Sequence, residues 1–305
     1  MVCRIAFLQP PLKDRRVAGR HISTQELVKG LRAIGVRAFC TKNLKAEADY
    51  YAVDCLDNIK WLPNVDPARR IAWVRRDVYH LTDRPAIEGV GHLFASSHFV
   101  ARAWKDYPVT VLPDPVHIPS WMRPHIRHRL LYVGRVCRSK GIPLLLKALK
   151  FQHGLNHLTI AGPIVEDFQQ MVRNYQLTYH VKFTGELSHW QVLRLYRQSK
   201  CVIVPSQAEP FGRAMVEAWA NGCTPIAIAG SGGPEEILRQ ASLDKPPYLV
   251  EHDPKRLSDA ISRVTGSDYD GISHRLDYDY CRQLAAPYEA SVIAQRFMDH
   301  LGRAH

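Results

Sequence analysis

Short apolar runs alternate with amphipathic stretches of helical length along most of this chain, and that alternation restricts its fold more than any other feature. Apolar strands separated by helices read as βαβ units, which put helices on both faces of parallel sheets. In the first part the candidate strands are 4–9 (RIAFLQ), 37–40 (RAFC), 48–54 (ADYYAVD), 70–75 (RIAWVR), 92–97 (HLFASS) and 109–113 (VTVLP). Between the first two lies STQELVKGLRAIG, which opens as a capping box with Ser23 or Thr24 at the cap and Glu26 close behind, and stops at Gly35.

A proline-rich interval at 113–129 follows, in which Pro113, Pro115, Pro119 and Pro124 cannot continue a helix or a central strand. It reads as an interdomain linker. Beyond it, strands at 130–135, 157–162, 181–185, 201–206 and 224–229 alternate with the helices IPLLLKALKF, VEDFQQMVRNYQL, HWQVLRLYRQS and GRAMVEAWANG. The expectation is an α/β chain of two Rossmann-like, doubly wound domains facing a central cleft. The N-terminal one, over 1–120, is short, and the C-terminal one spans 128–286.

Composition agrees with two globular domains: 305 residues, 46% hydrophobic and 23% charged. No run approaches the ~20 apolar residues of a membrane span. The start, MVCRIAFLQPPLKD, runs straight into a strand, so no cleaved leader is expected. Seven scattered cysteines without a C-x-x-C pair point to a reducing, cytoplasmic setting. The net charge of +12 calls for an anionic partner: nucleotide phosphate, lipid headgroup or nucleic acid. Its basic stretches, KDRRVAGR, ARRIAWVRR and RPHIRHR, fall in the first 130 positions. No nucleic-acid motif accompanies them, and a solvated basic surface reads them equally well.

Ligands of doubly wound sheets bind at the carboxyl ends of strands, where loops meet helix N-termini. After LLYVG the sequence GRVCRSKG offers Gly134, Arg135, Lys140 and Gly141, two cations flanked by glycines that suit a diphosphate. After CVIVPS comes QAEPFGRAMVE. Pro210 disfavours helix at Glu209 and suits the first helical turn, so Glu209 belongs to the loop and Glu217 lies about two turns along the helix. The amides of Phe211, Gly212 and Arg213 are then expected as donors at the helix start. Eight helical residues span ~12 Å, too far for the two carboxylates to share one reacting bond and suited to gripping two parts of one extended ligand. The turn GSGGPEEIL places Ser231, Gly232 and Gly233 to approach phosphate through their amides, and RRVAGRHIS puts Gly19 and Arg20 just ahead of a helix in the first domain.

Taken together, these motifs resemble the retaining glycosyltransferases of family 4, with the two-domain GT-B architecture. The resemblance runs from SSHFVARAWKDYPVTVLPDPV through YVGRVCRSKG and VPSQAEPFGRAMVEAWANG to GSGGPEEIL, roughly residues 96 to 240. It includes APYEASVIAQRFMDHL, similar to the family's terminal helix that crosses back to the N-terminal domain, here 287–305. It implies that Glu209 bonds hydroxyls of the donor sugar, aided by amides near Phe211 and Gly212, and that Glu217 binds the ribose. Arg135 and Lys140 would hold the donor diphosphate, with Gly19 approaching from the first domain. It also implies metal-independent chemistry with no cofactor beyond the nucleotide-diphosphate sugar itself, a UDP- or GDP-sugar. The family's histidine near the donor sugar has no clear match in AWVRRDVYH, which offers Arg75, Arg76, Asp77 and His80.

The function implied is transfer of a hexose to a hydroxyl of a glycan, lipid-linked intermediate or small molecule, in the cytoplasm or at an anionic membrane surface. The compact N-terminal half and the charge also fit nucleic acid as acceptor, in a transferase acting on modified DNA bases. A non-catalytic GT-B binding scaffold, a sugar phosphorylase and an epimerase complete the alternatives.

Overall fold

Both sheets are wholly parallel, as strands this apolar require: they are buried on both faces and must be covered by crossover helices. The computed structural model describes residues 3–8, 19–43, 46–54, 56–62, 64–75, 89–120, 129–152, 157–266 and 274–303. In the first sheet β1 (Arg4–Leu8), β2 (Arg37–Thr41), β3 (Tyr50–Val53), β4 (Arg70–Val74), β5 (His92–Ala95) and β6 (Val109–Val111) stand in the order β2-β1-β3-β4-β5-β6. In the second, β7 (Arg129–Val133), β8 (His157–Ala161), β9 (Val181–Gly185), β10 (Ser199–Val204), β11 (Thr224–Ile228) and β12 (Leu249–Val250) stand in the order β12-β11-β10-β7-β8-β9. That is the 3-2-1-4-5-6 arrangement of dinucleotide-binding sheets, and its winding reverses between β7 and β10.

The helices are α1 (Gly19–Ala33), α2 (His98–Arg102), α3 (Ile142–Leu149), α4 (Gln169–Asn174), α5 (His189–Gln198), α6 (Arg213–Ala220), α7 (Gly233–Gln240), α8 (Pro254–Thr265), α9 (Tyr278–Ala285) and α10 (Ala290–Arg303). The chain divides into two compact units, Met1–His117 with Pro287–His305, and Ile118–Ala286. No helix among the described residues is long and apolar enough to cross a membrane.

In the first unit one sheet face packs Ile5, Phe7, Ala52, Ile71, Trp73 and Phe94 against Leu27 and Leu31 of α1 and Ile293, Phe297 and Leu301 of α10. The opposite face buries Leu8, Val53, Val74 and Leu93 with Leu62, Val100 and Trp104. In the second unit Leu130, Ile160, Ile203 and Ile226 pack on α3 and on Leu257, Ile261 and Val264 of α8. Leu131 and Val202 turn to the other face, against Tyr196 of α5 and Ala218 of α6. The period-2 alternation along each strand produces both cores.

Several expected boundaries move. Helix α1 is already running at Gly19, so Ser23 and Thr24 are buried interior positions and no capping box forms there. Ser23 Oγ instead donates to the Gly19 carbonyl one turn back, at 3.1 Å. A capping box forms at Ser188 with Gln191, opening α5. Helix α4 starts only at Gln169, later than the expected 165, and Gln176 stops the segment with a positive φ of 60°. The second sheet also has a short sixth strand, β12, which two apolar residues are too few to announce. The proline interval contains no strand among its described residues, 113–120, and makes one isolated bridge, Val116 with Glu289; positions 121–128 lie outside the described residues.

Helices α1 and α10 cross where Gly30 has no side chain: a Cβ there would sit 2.1 Å from the Ala290 carbonyl oxygen. Alanine normally stabilises a helix interior by about 1 kcal/mol over glycine. Here the overlap with backbone forces the helices apart, at a cost of about 1–3 kcal/mol. Gly30→Ala is therefore expected to lower the denaturant midpoint at unchanged m-value, the reverse of its propensity effect.

Candidate functional site

The carboxyl ends of β7 and β10 lie side by side where the winding of the second sheet reverses, the position at which such sheets bind ligands. The chain leaves β7 through Gly134, at φ 154°, whose carbonyl oxygen would be 2.0 Å from any Cβ on Gly162. Tyr132 Oη donates to the Arg135 carbonyl at 2.7 Å and fastens the turn, and burial pushes this phenol above its ordinary range. A 3-10 turn at Arg138–Lys140 follows, closed by Gly141 in the left-handed region at φ 76°. A Cβ on Gly141 would lie 2.0 Å from the Pro205 carbonyl oxygen, just past β10. Only glycine permits both that φ and that approach.

This contact brings Lys140 to Glu209. The Lys140 ammonium forms an ion pair with Glu209 Oε2, both side chains being largely buried. Glu209 is held by its backbone as well: its amide donates to the Ser231 carbonyl at 2.8 Å, and its carbonyl accepts from Gly233 at 2.9 Å. The loops after β10 and β11 are thus laced together, with Gly233 packed where a Cβ would come within 2.6 Å of Phe211. This corrects one expectation. The Ser231 amide donates to the Ile228 carbonyl at 3.1 Å and the Gly233 amide to Glu209, so two of the three amides expected to meet phosphate serve the protein.

Glu209 lies on the loop, as Pro210 demands, but the helix starts three residues beyond that proline. Gly212, at φ 91° in the left-handed region, is the cap of α6, and Phe211 is buried. Glu217 is therefore one turn along α6, not two, and the ~12 Å reckoning for continuous helix does not apply. The carboxylate of Glu217 accepts from Arg213 Nε at 2.8 Å, an i,i+4 pair, and from Tyr196 Oη at 3.3 Å. His189 Nδ1 stands 3.9 Å away, and Asn221 Nδ2 donates to the Glu217 carbonyl at 2.8 Å. Arg213, expected to contribute its amide, contributes its guanidinium.

Arg135 is exposed and makes no ion pair among the described residues, whereas the neighbouring Arg138 pairs with Glu166. Gly19 is the first described residue of α1 rather than part of a loop ahead of it. Arg75 directly follows β4, and its Nε donates to Asp114 Oδ1 at 2.7 Å. Arg76, Asp77 and His80 lie outside the described residues. Among the described residues no cluster of three or more His, Cys, Asp or Glu could hold a metal ion.

Tyr196, His189 and Asn221 escaped the sequence reading. His189 and Tyr196 are seven apart on α5 and so share a face, but an aromatic at helical spacing ordinarily signals core alone. Burial, then the Glu217 carboxylate, push the Tyr196 phenol well above 10. A raised folded-state value stabilises the fold fully below about pH 10, and that contribution disappears as pH rises further, by up to about 1.4 kcal/mol per pH unit. Tyr196→Phe is expected to cost about 1 kcal/mol at neutral pH and to flatten this alkaline decline, read from denaturant unfolding between pH 8 and 11.

A family profile described as glycosyl transferases group 1 matches residues 118–276. Glycogen synthase of Mycobacterium tuberculosis is 33% identical over 143 residues, 43% of this chain and 34% of the relative. D-inositol 3-phosphate glycosyltransferase 1 of Catenulispora acidiphila is 28% identical over 198 residues, 57% of this chain and 46% of the relative. The chain thus matches less than half the length of each. Among solved structures, Anabaena HepE in complex with UDP and glucose superposes with a TM-score of 0.77 at 15% identity, over 99% of this chain and 100% of that one. Sucrose-phosphate synthase from Thermosynechococcus elongatus gives 0.73 at 18% identity, over 99% and 98%. These two likenesses concern the fold, which is GT-B.

Proposed function

The chain belongs to the group 1 glycosyl transferases, and from that premise we propose that it moves a hexose from a nucleotide-diphosphate sugar to an acceptor hydroxyl with retention of configuration. The observation that carries this reading is the Lys140–Glu209 pair at the reversal point of the second sheet. An ammonium has three N–H donors. One serves Glu209 Oε2, leaving two for diphosphate oxygens, while Glu209 Oε1 accepts from hydroxyls of the donor sugar. Lys140 thereby links the group that orients the sugar to the group that leaves.

As the glycosidic bond breaks, negative charge grows on the diphosphate and the sugar becomes cationic. Lys140, with the exposed Arg135, favours that separated state over the ground state, and such preorganised charge accelerates the step. The diphosphate assists deprotonation of the incoming hydroxyl on its own face, so retention needs no enzyme nucleophile. Glu217 holds the ribose: Arg213 and Tyr196 take part of its acceptor capacity, and a carboxylate offers about four lone-pair sites. HepE in complex with UDP-glucose, at a TM-score of 0.76 and 16% identity, supports a donor of this kind.

The test is turnover of UDP-, GDP- and ADP-sugars by the purified chain, with the product anomer read by NMR. Lys140→Met and Glu209→Gln are each expected to lower kcat about 10²–10³-fold, the range for removing one preorganised charge contact. Wild-type turnover in both, or an inverted anomer, would sink the proposal.

A further inference from the structure

The first unit carries a polar tier of its own, to which none of Arg135, Lys140, Glu209 and Glu217 belongs. On the sheet face covered by α1 and α10, the core residues Ala52, Trp73, Phe94 and Leu112 lie on neighbouring segments. Two positions beyond each comes a polar residue: Asp54, Arg75, Ser96 and Asp114. Alternate residues of a strand share a face, so the four polar residues continue the apolar face at its carboxyl edge. The Ser96 amide donates to the Val74 carbonyl at 3.2 Å, which seats Ser96 beside Arg75.

All four are deeply set: Asp54, Ser96 and Asp114 are 8%, 1% and 6% exposed, and the Arg75 side chain is 10% exposed. Arg75 Nε donates to Asp114 Oδ1 at 2.7 Å, Nη1 reaches the Asp54 carbonyl at 3.5 Å, and the guanidinium lies 4.0 Å from the Trp73 ring centroid. Asn58 Nδ2 donates to Asp54 Oδ1 at 3.2 Å. Yet Arg75 Nη2, Ser96 Oγ and Trp73 Nε1 have no hydrogen-bond partner among the described residues. A buried polar group without a partner costs about 1–3 kcal/mol, so two such groups side by side at the ligand-binding edge of a sheet call for an occupant.

Charge selects its class. The Arg75 guanidinium is matched by the Asp114 carboxylate and reaches only the carbonyl of Asp54, whose carboxylate accepts from Asn58, so the four residues of the tier hold no surplus positive charge for an anion. What remains is a guanidinium N–H, a hydroxyl and spare carboxylate lone pairs, a set that matches hydroxyls, which both donate and accept. We infer that Arg75 and Ser96 bind a neutral polyol or sugar, the acceptor of the transfer proposed above, and select it against phosphate- or carboxylate-bearing acceptors. The inference rests on that transfer reading for the word acceptor; Arg135, Lys140, Glu209 and Glu217, given above to the donor, lie in the second unit.

Binding can be measured apart from catalysis, by saturation-transfer NMR on the full chain with methyl α-glucoside and myo-inositol against glucose 6-phosphate and glucuronic acid. Ser96→Ala and Arg75→Lys are the variants; the second keeps the charge facing Asp114 and loses the fork. The expected result is at least tenfold tighter binding of a neutral probe than of its anionic counterpart, weakened at least tenfold in both variants and surviving in Glu209→Gln. Wild-type binding in both variants, a preference for the anionic probes, or loss of binding in Glu209→Gln overturns the inference. Failure of donor turnover with these binding results intact would instead count against the transfer reading.

Discussion

At the carboxyl edge of the second sheet, backbone meets backbone at distances that leave no room for a side chain, and the meeting of Lys140 with Glu209 follows from it. Gly141 lies against Pro205, Gly134 against Gly162, and Gly233 against Phe211. Each contact ties a loop after one strand to a loop after its neighbour or the next element in the winding. Because β7 and β10 are adjacent in the sheet and far apart in sequence, these contacts join Lys140 to Glu209 across 69 positions. Larger residues would open the edge and separate the charges.

A second theme recurs three times: a carboxylate near a sheet edge or helix start fixed by a cation. Lys140 holds Glu209, Arg213 holds Glu217 and Arg75 holds Asp114. Pairs this buried give little net stability, since desolvation offsets most of their attraction. Their value is orientation. A carboxylate whose lone pairs are partly committed presents the rest in a fixed direction, which is what recognition of hydroxyls needs.

What a local pattern could reveal, it did. The alternation of apolar runs and amphipathic segments located most strands of both sheets to within a few residues, because burial on a sheet or helix face imposes a period on the sequence itself. Pro210 correctly kept Glu209 off the helix. It failed to place the start of α6, because Gly212 in the left-handed region adds a further turn of loop, and a glycine's φ is set by what it packs against. Helix α1 was placed too late for a similar reason: Ser23 is a good cap in isolation, but its position is buried inside the helix.

The sequence by itself determined that the chain is α/β, that its strands run parallel and that Arg135, Lys140, Glu209 and Glu217 follow strands or start helices, since these depend on residues near one another in the chain. Tertiary structure decided partnership. That Lys140 faces Glu209, that Tyr196 and Arg213 close on Glu217, and that Arg75 reaches Asp114 with Ser96 at its side depends on strand order and register. Those are settled by packing between segments distant in sequence, and no local periodicity encodes which strand will lie beside which.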